Sequence, residues 1–461
     1  MGKFFEKLIR QLSSLKLAVF VISALAIVSA IGTIYEAKFD ARYAQKVVYQ
    51  SIYMKGVLGL LCINLIFVMV DRWPWKKHHT GFILAHVGII ITLLGALITE
   101  KMGLDGSMVF PLGKSNRFVT VPDQEINVFS SFLSGKPTRV FGRAVDFFDD
   151  PPNDQEPFVI PLGQEEMQVL KYYHYAVGKE EFVPSEITQT GPALRIQLQN
   201  QFINMIQWLH KPQGKKQEEL ALGPARIVIH EGDFKYDGGN VMALKANQDD
   251  SLTYEVYLDR TKKKIKQGIV KAGESFDTGW MGIQFRLLKY IPRAKKEVHF
   301  SQRDVPTPNT RSAILVKYKD QKHWVGLNSV VKLFDSDKVY YFSYGNRRVD
   351  IGFDIILKKF NVGRYQGTNR AMTYESEVEV PELGQVVISM NEPMKHNGLT
   401  FYQASFEQDE KGQAVASVLS VNRDPGRPIK YLGSFLIVLG SIVLFYDRRM
   451  KILDLIKKEA K

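Results

Sequence analysis

A single histidine lies inside an otherwise uncharged, apolar run of the chain. The run covers residues 81–99, and His86 is its only ionisable residue. Because a polar group in hydrocarbon costs free energy, an ionisable residue in such a segment is by default a candidate functional residue. A neutral imidazole is a good ligand for iron, copper or zinc. The residue types leave two interpretations equally open: His86 binds a metal, or it only hydrogen-bonds a neighbouring helix.

Small residues recur around this histidine at spacings of four and three. They are Gly81, Ala85, Gly88, Thr92, Gly95 and Thr99. This spacing predicts a helical stripe that lets another helix approach closely. His86 follows Ala85 by about 100° around the helix, roughly 7–8 Å from the start of the run. We therefore expect its side chain to project into a crevice between helices.

A basic segment, Arg72-Trp-Pro-Trp-Lys-Lys-His-His79, precedes the run. The first interpretation is a cytoplasmic collar whose tryptophans lie at the membrane interface. The second is a cationic clamp for an acidic ligand, with Lys76 and Lys77 as its leading candidates.

Four uncharged runs cover residues 17–35, 56–70, 81–99 and 431–446. A membrane-spanning helix needs about 20 residues, which the second and fourth runs reach by including flanking residues. A cleaved signal peptide is the alternative for the first run, whose apolar part is longer than that class usually has. The pattern predicts four transmembrane helices, three of them amino-terminal and one carboxy-terminal.

Charge predicts the orientation of these helices. Residues 1–16, 71–80 and 447–461 together carry 13 Lys and Arg against 5 Asp and Glu. The positive-inside rule places them in the cytoplasm, as an amphipathic amino terminus, a loop and a basic tail. The net charge of +13 therefore reflects topology and gives no support for nucleic-acid binding.

The region 100–430 is predicted to be one extracytoplasmic, mainly β domain. Its short alternating stretches and Gly- or Pro-containing turns favour a sandwich or two stacked sheets. The segment 201–210 fits a helix or a strand. The domain has no catalytic motif, and its six scattered histidines are typical of surface or hydrogen-bonded residues. The chain's one cysteine, Cys62, excludes an internal disulfide or a Cys-X-X-Cys pair.

The chain resembles the ResB family, also called CcsB, of the system II cytochrome c biogenesis pathway. Three blocks carry the resemblance: Gly32-Thr33-Ile34; the run from Gly81 through His86 to Ala96 and on to Met108; and Asn391-Glu-Pro393 with 398–405 and Asp424-Pro425-Gly426. The order of helices and outer domain agrees. Tyr35-Glu36 replaces an expected Pro-Gln.

The resemblance implies a non-autonomous subunit of a haem lyase, the cytochrome c synthetase, in the bacterial cytoplasmic membrane. Its expected partners are a polytopic CcsA/ResC-type protein, apocytochrome c and, indirectly, thiol-reducing thioredoxin-like proteins. His86 matches the family's membrane histidine, an axial ligand to the iron of haem b in transit, with a partner histidine opposite. Lys76 and Lys77 would then contact haem propionates.

A different class of function stays open at this point. The chain could be a membrane-anchored extracytoplasmic sensor, adhesion or structural assembly module that handles no haem.

Overall fold

The structure is a computed structural model of the 461-residue chain. It describes residues 2–132, 135–186, 190–223, 225–335, 338–367, 370–409 and 413–459. At residues 2, 3, 5 and 447–459 it describes the backbone alone. The predicted apolar face of the basic tail, through Ile452 and Ile456, therefore lies outside the described side chains.

The helices form where the apolar runs predict them. They are α1 Gly2–Leu12, α2 Leu15–Lys38, α3 Ala41–Ala44, α4 Ile52–Asp71, α5 Thr80–Met102 and α6 Arg427–Glu459. A π-helical turn, Gln45–Tyr49, precedes α4, and a 3₁₀ turn, Lys77–His79, precedes α5. Four helical stretches are long and apolar enough to cross a membrane: Glu6–Lys38, Ile52–Asp71, Lys77–Met102 and Arg427–Tyr446. The prediction of three amino-terminal helices and one carboxy-terminal helix is confirmed.

Polar side chains define where two of these helices begin and how α1 is attached. The Ser14 and Ser51 side chains accept hydrogen bonds from the backbone N–H groups that start α2 and α4, which satisfies donors that have no partner within the helix. Asn64 of α4 donates from Nδ2 to the carbonyl oxygen of Leu12, 2.6 Å away. Through this bond α4 holds the end of the amphipathic α1.

The described residues between α5 and α6 form 24 strands. The first twelve are β1 Leu104–Pro111, β2 Ser115–Phe132, β3 Thr138–Val145, β4 Phe158–Leu162, β5 Glu165–Pro184, β6 Ala193–Gln199, β7 Asn204–His210, β8 Gln217–Ala221, β9 Ala225–His230, β10 Asn240–Ala246, β11 Leu252–Leu258 and β12 Lys263–Val270. The second twelve are β13 Ser275–Asp277, β14 Gln284–Ile291, β15 Ala294–Gln302, β16 Arg311–Tyr318, β17 Gln321–Gly326, β18 Ser329–Phe334, β19 Lys338–Arg364, β20 Ala371–Val380, β21 Gly384–Ser389, β22 Met394–His396, β23 Leu399–Gln408 and β24 Ala414–Arg423. The mainly β character of the domain is confirmed, and the ambiguous segment 201–210 contains strand β7.

These strands form four sheets rather than the one sandwich or two stacked sheets that the sequence predicts. The largest sheet has ten strands, with the central order β21-β20-β19-β2-β1-β24-β23-β22. One five-stranded sheet contains β8 to β12, and a second contains β4, β5, β15, β16 and β17. A four-stranded sheet contains β6, β7, β13 and β14. Alternation along one strand cannot reveal that the long β2, β5 and β19 each pair with several neighbours and shift register along their length.

Within the described residues, three large apolar cores and two smaller clusters hold this region together. One lies inside the ten-stranded sheet, where Met108, Ile355 and Phe401 are fully buried although they come from distant strands. A second joins the ten-stranded sheet to the β4–β5–β15–β16–β17 sheet. The third joins the other two sheets as a sandwich. Because β1 follows α5 directly and β24 precedes α6, the ten-stranded sheet is attached to the membrane helices at both ends.

Candidate functional site

The helix pair that carries His86 is joined along two glycine stripes. Gly81, Gly88 and Gly95 of α5 are buried, and in antiparallel order they face Gly440 and Gly433 of α6 and Gly426, the residue before α6. A Cβ added to Gly88 would lie 2.7 Å from the carbonyl oxygen of Gly433. No side chain fits between backbones this close, so glycine is required on both sides. The predicted small-residue stripe is therefore a helix contact, and its partner is the fourth span.

A polar cluster joins the last part of α5 to the beginning of α6. The hydroxyl of Thr99 in α5 donates to a carboxylate oxygen of Asp424, 2.6 Å away. The other carboxylate oxygen of Asp424 accepts from Lys430 Nζ in α6 at 2.8 Å. Asp424 begins the Asp-Pro-Gly segment that the sequence analysis singled out, and it fixes how α6 leaves the ten-stranded sheet.

His86 lies nearly two turns into α5 and is half-buried. Its Nδ1 is 2.8 Å from the carbonyl oxygen of Phe82. Because a carbonyl oxygen can only accept, this bond places the imidazole proton on Nδ1 and leaves the Nε2 lone pair available in the neutral ring. Histidines that bind metals are commonly oriented in this way by a hydrogen bond from the other ring nitrogen. The arrangement of His86 fits an axial iron ligand.

The aromatic ring of Phe82 contacts two further groups of the site. The His86 imidazole lies against it, with ring centroids 3.9 Å apart and a tilt of 36°. The guanidinium carbon of Arg72, the residue that follows α4, lies 3.7 Å from the centroid of the same ring. Phe82 therefore positions both the His86 imidazole and the guanidinium of Arg72, the residue that follows α4.

Lys76 and Lys77, the predicted propionate contacts, are exposed in the turn before α5. Within the described part of the chain, neither lysine forms an ion pair with a carboxylate. The structure brings Arg72 to the Phe82–His86 pair and gives no contact between either lysine and that pair. Their assignment to a ligand stays a prediction.

A second cluster joins the α2–α4 loop to the β-rich domain. Tyr175 of β5 donates from its hydroxyl to Asp40, with 2.6 Å between the oxygens. Lys46 pairs with Asp146, and Tyr43 packs edge-on against Phe148 with centroids 5.3 Å apart. This junction fixes the β-rich domain against the loop.

His174 lies in the same junction. Its Nδ1 is 2.8 Å from the Tyr172 hydroxyl, and its ring packs on Phe148 and Tyr43. Its Nε2 is buried without a hydrogen-bond partner among the described residues. Burial lowers the pKa of His174; nearby Asp40 opposes this shift.

The acidic residues of the junction have lowered pKa values. Burial acts to raise the pKa of Asp40, but hydrogen bonds from Tyr175 and from the backbone outweigh it. Burial likewise acts to raise the pKa of Asp146, and the hydrogen bond and charge of Lys46 outweigh it. Both carboxylates are therefore ionised at neutral pH.

Sequence reasoning placed Arg72 in the candidate clamp segment without its contact to Phe82, and it missed Phe82 and His174 as members of these sites. An aromatic residue four positions before a membrane histidine is a signal for Phe82, because residues i and i+4 share a helix face. No local pattern connects Arg72 with Phe82, or His174 with Asp40, since each pair joins separate elements.

The fold and the His86 site define a membrane protein with four candidate spanning helices, a large β-rich domain and a histidine held in one of the helices. The family model described as the ResB-like family matches residues 328–418. The resemblance to the ResB family is thereby confirmed.

A curated relative supports the same conclusion. Over 444 residues the chain is 23% identical to Protein NrfI of Wolinella succinogenes. The match covers 95% of this chain and 35% of that relative. The chain thus spans about a third of the length of the curated relative it matches.

Proposed function

We propose that this protein is a subunit of the system II cytochrome c synthetase. In this role it helps to carry haem across the membrane and to attach it to apocytochrome c, together with a CcsA/ResC-type partner. The family match and the relative support a place in cytochrome c biogenesis. The observation that carries the haem assignment is the Nδ1 bond of His86 to the Phe82 carbonyl, which leaves Nε2 free to bind iron.

Different residues of this chain have different roles in the proposed function. The contact between the two glycine stripes, which we call the glycine seam, holds α5 and α6 together. The His86 backbone therefore has a fixed position. His86 supplies one axial nitrogen to the haem iron, and the partner supplies the other. The apolar helix faces receive the porphyrin ring. Reduction of the iron and of the acceptor thiols falls to other proteins, because Cys62 is the only thiol of this chain.

The outer domain is proposed to scaffold the partner or to present the apocytochrome. In this arrangement both termini lie in the cytoplasm and the β-rich domain lies on the extracytoplasmic side of the bacterial cytoplasmic membrane. The charge asymmetry of residues 1–16, 71–80 and 447–461 supports this orientation. Reporter fusions after Gly106 and after Lys461 test it; extracytoplasmic activity of the Lys461 fusion contradicts it.

Co-purification with the CcsA/ResC-type partner tests the function. We expect a red complex with a Soret band, and we expect His86→Ala to reduce the band while the two proteins still co-purify. A colourless complex would instead favour a sensor, adhesion or assembly module. Cytochrome c maturation in cells that produce the same variants provides the second measurement.

A further inference from the structure

We propose that Arg72 recognises a carboxylate of the molecule whose iron His86 binds, so that this site selects an acidic metalloporphyrin over its uncharged ester. The inference rests on the proposed function and names the group that sets ligand preference. It assigns the carboxylate contact to the residue at the end of α4 rather than to Lys76 or Lys77 in the following turn.

The position of Arg72 follows from its contact with α5. Its guanidinium carbon is 3.7 Å from the centroid of Phe82, and the imidazole centroid of His86 is 3.9 Å from the same point. The aromatic ring therefore holds a cation and a metal-binding nitrogen next to each other. Cation–π contacts of this kind are stronger where water is scarce, as at a membrane interface.

The donors of this guanidinium are available to a ligand. Among the described residues, Arg72 forms no ion pair with a carboxylate, and Asp71 beside it forms none either. A guanidinium that stacks on an aromatic ring keeps its N–H groups at the edge, where they match the two oxygens of one carboxylate. A lysine ammonium has no such fork, which distinguishes Arg72 from Lys76 and Lys77.

The cation and the imidazole make complementary contacts with one ligand. Iron binds the Nε2 of His86, while a flexible acidic side group of the porphyrin reaches toward the membrane surface. Arg72 directly follows α4, and His86 lies nearly two turns inside α5. The two contacts therefore orient the ring with its charged edge toward water and its apolar edge toward the bilayer.

Binding of two porphyrins to the full-length protein, purified with its partner, tests this inference. The probes are iron protoporphyrin IX and its dimethyl ester, and Soret titration gives a Kd for each. We expect the wild type to prefer the free acid. Arg72→Gln should weaken free-acid binding roughly tenfold, the effect of losing a hydrogen-bonded ion pair, and should leave ester binding nearly unchanged. Arg72→Lys should recover part of the preference.

Lys16→Gln, which removes a cation at an exposed position in the first turn of α2, is the matched control and should retain the wild-type preference. Equal weakening of both porphyrins by Arg72→Gln would mean that Arg72 acts only by packing on Phe82, and it would overturn the inference. Unchanged binding in Arg72→Gln would also overturn it while leaving the proposed function intact. If the wild type binds neither porphyrin, the proposed function fails and this inference fails with it.

Discussion

Gly88 in α5 and Gly433 in α6 lie so close that each occupies the space in which the other's side chain would stand. A Cβ on Gly88 would be 2.7 Å from the Gly433 carbonyl oxygen, and one on Gly433 would be 2.3 Å from the Thr92 hydroxyl oxygen. The residues are far apart in sequence, at the two ends of the β-rich domain. Their contact therefore holds together the two helices that precede and follow that domain.

Gly88→Ala is expected to push α5 and α6 apart. The added methyl group meets backbone atoms that cannot rotate away, so we expect a loss of about 1–3 kcal/mol, as in overpacked cores. Gly59→Ala in α4 is the control, because a Cβ there has no atom within 4 Å. Thermal unfolding in detergent measures the stability of both variants. Equal stability of the two would contradict a close contact between α5 and α6 at Gly88.

His86→Ala should remove the iron ligand and leave the helix pair intact. The side chain lies beside the glycine seam and packs on Phe82, so its loss should cost little stability. Haem content and cytochrome c maturation should fall and should recover partly when imidazole is added, because free imidazole restores the nitrogen donor. His299→Ala, whose side chain is 58% exposed, should retain full haem content. An unshifted Soret band in His86→Ala would make His86 a packing residue.

The junction between the α2–α4 loop and the β-rich domain should weaken as pH falls. The pKa of His174 is lowered by burial from its ordinary value of 6.5, so the folded protein binds this proton less tightly than the unfolded chain. Stability should therefore fall from about pH 7 to pH 5, as the unfolded chain takes up the proton. The pKa values of Asp40 and Asp146 are lowered from 3.8, so their contribution is present above that value and is lost only at more acidic pH.

Melting temperatures at pH 7 and pH 5 separate these contributions. His174→Gln should show a smaller fall between the two pH values than the wild type. His299→Gln, at an exposed position, should show the wild-type fall. An identical pH response in wild type and His174→Gln would exclude His174 as the titrating group.

Tyr175→Phe should loosen the same junction without changing its shape. The substitution removes the hydroxyl that donates to Asp40 and leaves a half-buried carboxylate oxygen with one partner fewer. We expect a cost of roughly 1–3 kcal/mol. Faster backbone hydrogen exchange in the loop 39–51 should accompany it. Tyr53→Phe, at a side chain that is 78% exposed, should change neither quantity.

Lys76→Gln combined with Lys77→Gln tests the propionate contacts predicted from the sequence. Both lysines are exposed, so the variant should fold and insert normally. If they bind propionates, the variant should hold less haem than the wild type at low ionic strength, and its haem occupancy should depend less on salt, because the exposed ion pairs that salt screens are absent from it. Unchanged occupancy in correctly inserted protein would assign the two lysines to topology alone.

The local features of this protein were determined by the sequence itself. Uncharged runs of sufficient length predicted the four helices, because backbone polar groups in a bilayer must be satisfied within the helix. Period-two alternation predicted the β character of the region 100–430, and β6 shows it, since Leu194, Ile196 and Leu198 are all buried. His86 was identifiable because an ionisable residue is costly in an apolar helix.

The tertiary structure decided which of these elements meet. The seven-residue spacing of Gly426, Gly433 and Gly440 is visible in the sequence, yet it does not say which helix lies opposite. The grouping of strands into four sheets and the contacts of Arg72 with Phe82 and of His174 with Tyr43 likewise join separate elements. Periodicity reports which face of one element is apolar or small, whereas a contact between elements depends on the shapes and charges of two surfaces brought together by the whole fold.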